Sequence, residues 1–430
     1  MDSTKDRAIG RPGDGAVTLA VVGAGIRGQQ YSRLVTRSAR GRVVAVAEAD
    51  PARRSAFAET YALPSSAVFA DWRELAAAGK IADAAVIATQ DRLHLDPAVA
   101  LAGLGYHLLL EKPMAPTEQE AARIRAAVEA AGVIGAVCHV LRYTPYTRVL
   151  KGLLDEGRIG ELVNVQHLEP VGWWHQAHSF VRGNWRNEAE SGPMLLTKSC
   201  HDLDWLAYLV GDAPRSVASF GGLAHFRPEK KPAGAGHRCV DCAVEPDCPY
   251  SAVRLYLGCL GDERRTAWPL SAVTGDHTRE GVLEALRQGP YGRCAYECDN
   301  DVVDHQVVAM QYPSGMTATF TMTAFTPMGR RQTRLFGSHG SIEGDGQVLR
   351  VTDFRTGATE TLDSAGPGDG HAGTGHDGGD GGLVEAFLDA VRAGDPGRLR
   401  SDMATSLASH RVVWAAEQAR RTGQVVHLGY

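Results

Sequence analysis

A glycine turn between an apolar segment and a helical segment constrains the fold of this chain more than any other feature. Residues Val17–Val22 are apolar and predict a buried strand, and Gly-Ala-Gly-Ile-Arg-Gly follows at once as residues 23–28. A helix is predicted from there to about Ser38. In this order of strand, turn and helix, the glycines let the backbone turn tightly and approach a pyrophosphate at the helix N-terminus. The pattern predicts a doubly wound, dinucleotide-binding domain.

The predicted cofactor contacts include a carboxylate that follows the turn. Glu48 comes 20 residues after Gly28, at the end of a second strand, where a carboxylate accepts hydrogen bonds from the ribose hydroxyls. A carboxylate repels a 2′-phosphate, which favours NAD over NADP, although Arg53 and Arg54 keep NADP open. The predicted cofactor-binding residues are Gly23, Gly25, Ile26, Arg27, Gly28, Glu48, Thr89, His94, Glu111 and Lys112.

The tripeptide Glu111-Lys112-Pro113 ends a further strand, His107–Leu110, of the same predicted sheet. Carboxyl ends of parallel strands line the ligand crevice, so we expect Lys112 at the nicotinamide end of the cofactor. Thr89 and His94 flank the end of a neighbouring strand. For these two residues, a polar loop that caps the next helix is an equally good interpretation.

A second polar cluster lies on residues Met194–Val210, which are predicted to form one helix. Thr197, Lys198, His201 and Asp204 would share one face of that helix. Histidine is the usual proton acceptor near neutral pH, and Asp204 is spaced to orient it. The alternative is a helix whose polar face meets solvent.

The loop before this segment carries aromatic and cationic side chains. Arg182, Trp185 and Arg186 combine a stacking surface with hydrogen-bond donors, which suits a ring that bears hydroxyl groups. An interface or lid segment is the other interpretation. A glycine-rich stretch, Gly366–Gly382, is predicted to be a loop, and its His371 and His376 reach the crevice only if that loop folds over it.

Four cysteines indicate a metal site in an insertion at about residues 225–300. Cys239, Cys242 and Cys248 have the spacing C-x2-C-x5-C, which suits tetrahedral Zn²⁺, and Cys294 is the preferred fourth ligand. The site is interpreted as structural. Reduced cysteines packed under the insertion are the alternative, and an iron–sulfur cluster is less favoured.

Length and charge set the remaining expectations. With 430 residues the chain is long enough for two domains, and its net charge of −5 argues against nucleic acid or an anionic membrane as a partner. No apolar run approaches the length of a membrane span. We expect a cytoplasmic protein with a disordered tail at 1–16, a Rossmann domain at 17–142 and a substrate-binding α+β domain at 143–430.

The chain resembles the Gfo/Idh/MocA family of NAD(P)-dependent oxidoreductases in three motifs: residues 23–28, Glu111–Pro113 and His201–Asp204. The resemblance implies an α/β fold, with a Rossmann domain followed by an α+β domain that carries a large open, mostly antiparallel sheet for homo-oligomer formation. It implies hydride transfer between NAD and a secondary alcohol of a sugar, cyclitol or glycoside. Lys112 would contact the substrate hydroxyl and nicotinamide, and His201 would be the acid/base.

One position departs from that family. Many members carry an aspartate four residues before the histidine, where this chain has Thr197, followed by Lys198. The substrate group there is then anionic or a carbonyl, or Lys198 shares the proton transfer. The predicted catalytic residues are Lys112, His201 and Lys198, and the predicted substrate-binding residues are Lys112, Arg182, Trp185, Arg186, Lys198, His201 and Asp204.

The same departure keeps a second reaction open. A redox-neutral enzyme would oxidise a ring carbon, cleave a glycoside or invert the neighbouring carbon, and then return the hydride. A cofactor-binding regulatory protein without turnover is a third, less favoured interpretation.

Overall fold

The structure, a computed structural model, describes residues 15–364 and 376–429. Almost all of the predicted tail and the part of the glycine-rich stretch that holds His371 lie outside the described residues. The strands are β1 Val17–Val22, β2 Gly41–Ala47, β3 Val68–Phe69, β4 Ala84–Ile87, β5 His107–Leu110, β6 Gly135–Val137, β7 Leu162–Pro170, β8 Ser216–Gly222, β9 His305–Gln311, β10 Thr317–Thr323, β11 Gln332–Gly337, β12 Gly340–Gly344, β13 Val348–Asp353, β14 Thr359–Asp363 and β15 Val426–His427.

The helices include several that begin at a side-chain cap, for example at Asp50, Thr117 and Thr144, whose side chains accept a backbone N–H of the first turn. They are α1 Ile26–Arg37, α2 Pro51–Thr60, α3 Trp72–Ala77, α4 Leu95–Gly103, α5 Glu118–Ala131, α6 Pro145–Asp155, α7 Trp173–His175, α8 Met194–Thr197, α9 Cys200–Val210, α10 Ala252–Leu257, α11 Glu263–Ala267, α12 Arg279–Gln288, α13 Gly379–Ala393 and α14 Met403–Thr422.

Two sheets organise the chain. The first has six parallel strands in the order β3-β2-β1-β4-β5-β6, and its central strands are apolar on both faces because helices cover both. The second has nine strands in the order β14-β13-β12-β11-β7-β10-β9-β8-β15, antiparallel except where β7 pairs with β10. The predicted fold class, a Rossmann domain followed by a domain with a large, mostly antiparallel sheet, is confirmed.

The last helices of the chain return to the first sheet. Leu383 and Phe387 of α13 pack in one apolar cluster with the strands of that sheet, and Met403 and Leu407 of α14 pack in another. Val137 at the edge of the sheet donates its backbone N–H to Ser401 O at 2.9 Å. The core of the dinucleotide-binding fold is therefore completed by residues near the other end of the chain.

Two predicted elements differ from the structure. The segment Met194–Val210 is not one helix, because Lys198 and Ser199 separate α8 from α9. Helix α13 begins at Gly379, within the stretch predicted to be a loop up to Gly382. No helix within residues 15–364 and 376–429 is both long and apolar enough to cross a membrane.

Candidate functional site

The glycine turn after β1 has the geometry that the sequence predicts. Gly23 has φ +91°, and a Cβ at Gly28 would lie 2.0 Å from Gly23 O, so both positions require glycine. A Cβ at Gly25 would meet nothing within 4 Å. The turn is packed tightly on its inner side and open at Gly25, immediately before helix α1. This open surface at a helix N-terminus suits a pyrophosphate.

Glu48 lies against this turn. Its Oε2 accepts the backbone N–H of Ala24 at 2.7 Å, while Oε1 accepts the N–H of Asp50 at 2.9 Å and a bond from Arg53 at 3.2 Å. The carboxylate is buried at the end of β2. Glu48 therefore lies beside the turn, which is the position expected of a carboxylate that binds the ribose.

Arg27 and Glu111 are bound to each other beneath the turn. Arg27 Nε lies 2.5 Å from Glu111 Oε1, and Arg27 Nη2 lies 2.6 Å from Asp380 Oδ1. Tyr31 donates its hydroxyl to Glu111 at 2.9 Å. Burial alone would raise the pKa of Glu111, but the charges of Arg27 and Lys112 outweigh it and lower the pKa. This network joins α1, the end of β5 and the start of α13.

Lys112 follows β5, and its Nζ donates to Thr197 O at 2.7 Å, next to the break between α8 and α9. The Lys112-Pro113 peptide is cis. The buried ring of His94 contacts Pro113 O at 2.9 Å and Thr89 O at 3.2 Å through its two nitrogens. His94 thus ties together the loops after β4 and β5 that the sequence places at the crevice.

His201 lies in the first turn of α9, buried and close to other histidines. Burial and, next, the charge of Lys112 lower the pKa of His201 well below its ordinary value, so the ring is neutral at neutral pH. Its Nδ1 has no hydrogen-bond partner among the described residues. The ring centroid lies 5.6 Å from that of His376 and 5.8 Å from that of His139.

His376 and Asp91 are site residues that the sequence analysis left out of its candidate set. His376 Nδ1 lies 3.2 Å from Asp380 Oδ2, which holds the ring near His201. Burial raises the pKa of Asp91, with the charges of His94 and Lys112 acting against it. Asp91 follows Thr89 closely in the chain, so its strand-end position was the available signal. For His376 the sequence offered only the condition that its loop folds over the crevice.

Asp204 does not orient His201. Its carboxylate accepts bonds from Arg142 at 2.6 and 2.7 Å and from Ser409 at 2.8 Å, and it is fully buried. Asp204 is therefore held in a buried ion pair with Arg142, and its part in binding substrate stays a prediction. His201 and Asp204 both lie in α9, so the helix break does not separate them; the reason that Asp204 does not orient His201 is Arg142, which binds both oxygens of the Asp204 carboxylate.

Lys198 is paired rather than free. Its Nζ lies 3.0 Å from Glu169 Oε1, and Arg331 binds the other oxygen of Glu169 at 3.1 Å. Arg331 also pairs with Asp202, which directly follows His201 in α9. The cation at position 198 is thus balanced by a carboxylate of β7.

The arginines of the aromatic loop bind the insertion instead of the crevice. Arg182 is 1% exposed and donates to Arg293 O and Tyr250 O, each at 2.8 Å. Arg186 binds both carboxylate oxygens of Asp299 at 3.0 Å. These partners occupy both guanidinium groups, so binding of substrate by Arg182 and Arg186 stays a prediction; the partners lie more than 60 residues away in sequence, which is why the sequence did not reveal them. Trp185 differs: it is 38% exposed and lies beside Asp91.

The predicted metal ligands Cys239, Cys242, Cys248 and Cys294 line one cavity. As their side chains stand, however, no three His, Cys, Asp or Glu residues of the described chain form a group that could hold a metal ion. The zinc expectation therefore has no support from the side-chain arrangement itself.

Comparisons with known proteins agree with this architecture. Residues 17–139 match the family described as "Oxidoreductase family, NAD-binding Rossmann fold", and residues 151–428 match "Oxidoreductase family, C-terminal alpha/beta domain". The solved structure of levoglucosan dehydrogenase in complex with NADH and levoglucosan has a TM-score of 0.70 at 17% identity, covering 96% of this chain and 100% of that one.

Two curated proteins are similar to this chain in sequence. Inositol 2-dehydrogenase of Rhizobium meliloti is 29% identical over 286 residues, 64% of this chain and 77% of that protein. The 2,7-anhydro-N-acetylneuraminate hydratase of Escherichia coli is 26% identical over 213 residues, 49% of this chain and 55% of that protein. The chain spans only 53–60% of the length of the first curated relatives that it matches.

Proposed function

The chain belongs to the Gfo/Idh/MocA oxidoreductase family, and from that premise we propose that it is an NAD-dependent dehydrogenase acting on a secondary alcohol of a sugar, cyclitol or glycoside. The observation that carries the proposal is the bond from Lys112 Nζ to Thr197 O, which brings Lys112 to the segment just before His201. Glu111, which precedes Lys112, binds Arg27 of the glycine turn. The similarity to inositol 2-dehydrogenase supports the substrate class. The carboxylate of Glu48 beside the turn supports NAD over NADP.

His201 is suited to take the proton of the substrate hydroxyl. Because burial and Lys112 lower its pKa, the ring is already neutral when substrate arrives, and its Nδ1 carries no competing bond from the described residues. NAD, when bound, supplies the acceptor for the hydride that leaves the same carbon.

Lys112 is suited to hold the substrate oxygen. Its Nζ is anchored on Thr197 O, which leaves further N–H donors for an oxygen that gains negative charge as its proton leaves. Trp185, exposed beside Asp91, offers a flat surface for the sugar ring. Lys198 plays no part in proton transfer in this proposal, because Glu169 already pairs with it.

The redox-neutral reaction is less well supported. Its motive was the loss of the usual aspartate at Thr197 together with the cation of Lys198, and the ion pair of Lys198 with Glu169 weakens the second part of that motive. The resemblance to a hydratase keeps this reaction as an outcome of the test below rather than as a second proposal.

The test is an absorbance assay at the NADH band on the full chain, first without and then with added NAD, over a panel of cyclitols, aldoses and anhydrosugars. Reduction of added NAD in proportion to substrate is the expected result. Lys112→Met and His201→Asn should lower kcat by about 10²–10⁴-fold, whereas the exposed Lys80→Met should not. Product that forms without net NADH would replace the dehydrogenase with the redox-neutral enzyme.

A homo-oligomer and a cytoplasmic location stay predictions from the sequence. The nine-stranded sheet offers a surface for the first: Phe220 of β8 is 69% exposed and pairs with Val307 of β9, which is 40% exposed. Light scattering on the purified chain, with Phe220→Ser as the variant, measures whether this face joins two copies.

A further inference from the structure

We propose that the cavity lined by Cys239, Cys242, Cys248 and Cys294 binds one thiophilic divalent cation, with Zn²⁺ as the fitting ion, and that this cation stabilises the insertion. The four thiols are free and lie together although Cys294 is far from the other three in sequence. A β-bridge between Arg238 and Arg293 and the bond from Cys294 N to His237 O at 2.8 Å bring the two segments side by side.

N–H groups of the cavity wall point at the sulfurs. Gly236 N lies 3.2 Å from Cys242 Sγ, and Ala252 N lies 3.5 Å from Cys239 Sγ. Arg182 Nη2 lies 3.6 Å from the same Cys239 sulfur. A neutral thiol is a weak acceptor, whereas a thiolate is the form that ligates a metal and gains from such donors.

Arg182 is the observation that points to negative charge in the cavity. It is 1% exposed and lines the cavity, and no carboxylate among the described residues forms an ion pair with it. Its Nη1 has no hydrogen-bond partner in the described chain. A buried cation is costly without a counter-charge. Four thiolates around a divalent cation carry net negative charge, and that charge would balance Arg182.

The cavity has the size for one ion. Its volume is about 20 Å³, which accommodates a single water-sized particle and no organic ligand. As they stand, the sulfurs line the wall and do not converge. Binding of the ion therefore requires the cysteine side chains to turn toward it, since four thiolates are a tetrahedral ligand set that Zn²⁺ prefers. The site lies in the insertion and has no role in the proposed hydride transfer.

Metal content of the full chain, purified without a histidine tag or chelator, tests this proposal. Elemental analysis should find about one Zn²⁺ per chain. Loading with Co²⁺ in place of zinc should give the sulfur-to-cobalt charge-transfer absorption that only thiolate ligation produces. Cys242→Ser and Cys294→Ser should each lose most of the metal. Cys259→Ser is the matched control, because its buried thiol lies outside the cavity and donates to Leu255 O, a bond that a serine hydroxyl also makes.

Wild-type protein keeps the proposal falsifiable if the serine variants do not fold. Removal of the metal by a chelator should lower Tm, and Zn²⁺ should restore it. A native chain that binds neither Zn²⁺ nor Co²⁺, or whose four cavity thiols all react freely with a thiol reagent when zinc is present, would overturn the proposal. Zinc that binds equally to Cys294→Ser, or cobalt without a charge-transfer band, would show an adventitious ion only.

Discussion

Arg27 is the residue on which two buried carboxylates from distant parts of the chain depend. Glu111 follows β5, whereas Asp380 lies in the first turn of α13, and the Arg27 guanidinium binds both. Burial alone would raise the pKa of Asp380, but the charges of Arg27 and His376 outweigh it and keep the pKa below its ordinary value. Position 27 was predicted from its motif to contact the cofactor. That contact stays a prediction, while the Arg27 side chain joins α1 to the end of β5 and the start of α13.

Arg27→Ala should therefore lower the free energy of unfolding by about 3–5 kcal/mol, since it removes the guanidinium that pairs with two buried carboxylates. Urea denaturation at neutral pH measures the change. Arg33→Ala, on the same helix and bonded only to Gln30 at 3.3 Å in the described contacts, is the control and should cost less than about 0.5 kcal/mol. Equal effects of the two substitutions would contradict the role assigned to Arg27.

At the scale of the element, two glycines of the turn between β1 and α1 have different roles, one in folding and the other in ligand binding. A Cβ at Gly28 would collide with Gly23 O at 2.0 Å, whereas a Cβ at Gly25 would meet nothing within 4 Å. Gly25 also has φ −69°, which any residue adopts. Gly28 is therefore required by packing, whereas Gly25 is required only by a ligand.

Gly28→Ala should lower the free energy of unfolding by about 1–3 kcal/mol or more. Gly25→Ala should change stability by less than about 1 kcal/mol and weaken NAD binding at least about tenfold, about 1.4 kcal/mol, because its methyl occupies the pyrophosphate face. Calorimetric titration with NAD and urea denaturation measure the two effects. Gly152→Ala, on a helix far from the turn with open space around it, is the control. NAD affinity unchanged in Gly25→Ala would place the cofactor elsewhere.

The elements that the sequence predicted correctly are those whose determinants are local. The Rossmann strands, the glycine turn and the Glu111–Pro113 strand end follow from periodicity and short motifs, and the structure has them. Arg182 and Asp204 could not be assigned in this way. Their roles depend on Tyr250 and on Ser409, residues brought near only by the folded chain. The break between α8 and α9 likewise leaves no proline or glycine signal.

At the scale of the whole molecule, three distant segments meet at a cluster of buried histidines. His139 follows β6, His201 lies in the first turn of α9, and His410 lies on α14. The ring centroid of His139 lies 5.2 Å from that of His410 and 5.8 Å from that of His201. His139 Nδ1 lies 3.6 Å from Asp204 Oδ2, and His410 Nε2 accepts Met114 N–H at 3.2 Å. The junction of the two sheets and the C-terminal helix is therefore built around neutral imidazoles.

The lowered pKa values of these histidines predict that the free energy of unfolding falls in mild acid. Burial is the main cause that lowers the pKa of His139 to about 3 and of His410 to about 4. In the unfolded chain both titrate near about 6.5. Between about pH 6.5 and 4 the unfolded state therefore binds protons that the folded state does not, so stability falls as pH falls, by about 1.4 kcal/mol per pH unit for each histidine. Urea denaturation at a series of pH values measures this slope.

His410→Gln, whose amide oxygen can accept the Met114 N–H, should make the slope shallower by about one histidine's share, whereas His339→Gln, at an exposed position, should leave it unchanged. A slope that His410→Gln does not alter would mean that His410 is already protonated in the folded protein, and the cluster would not be the neutral core of the junction.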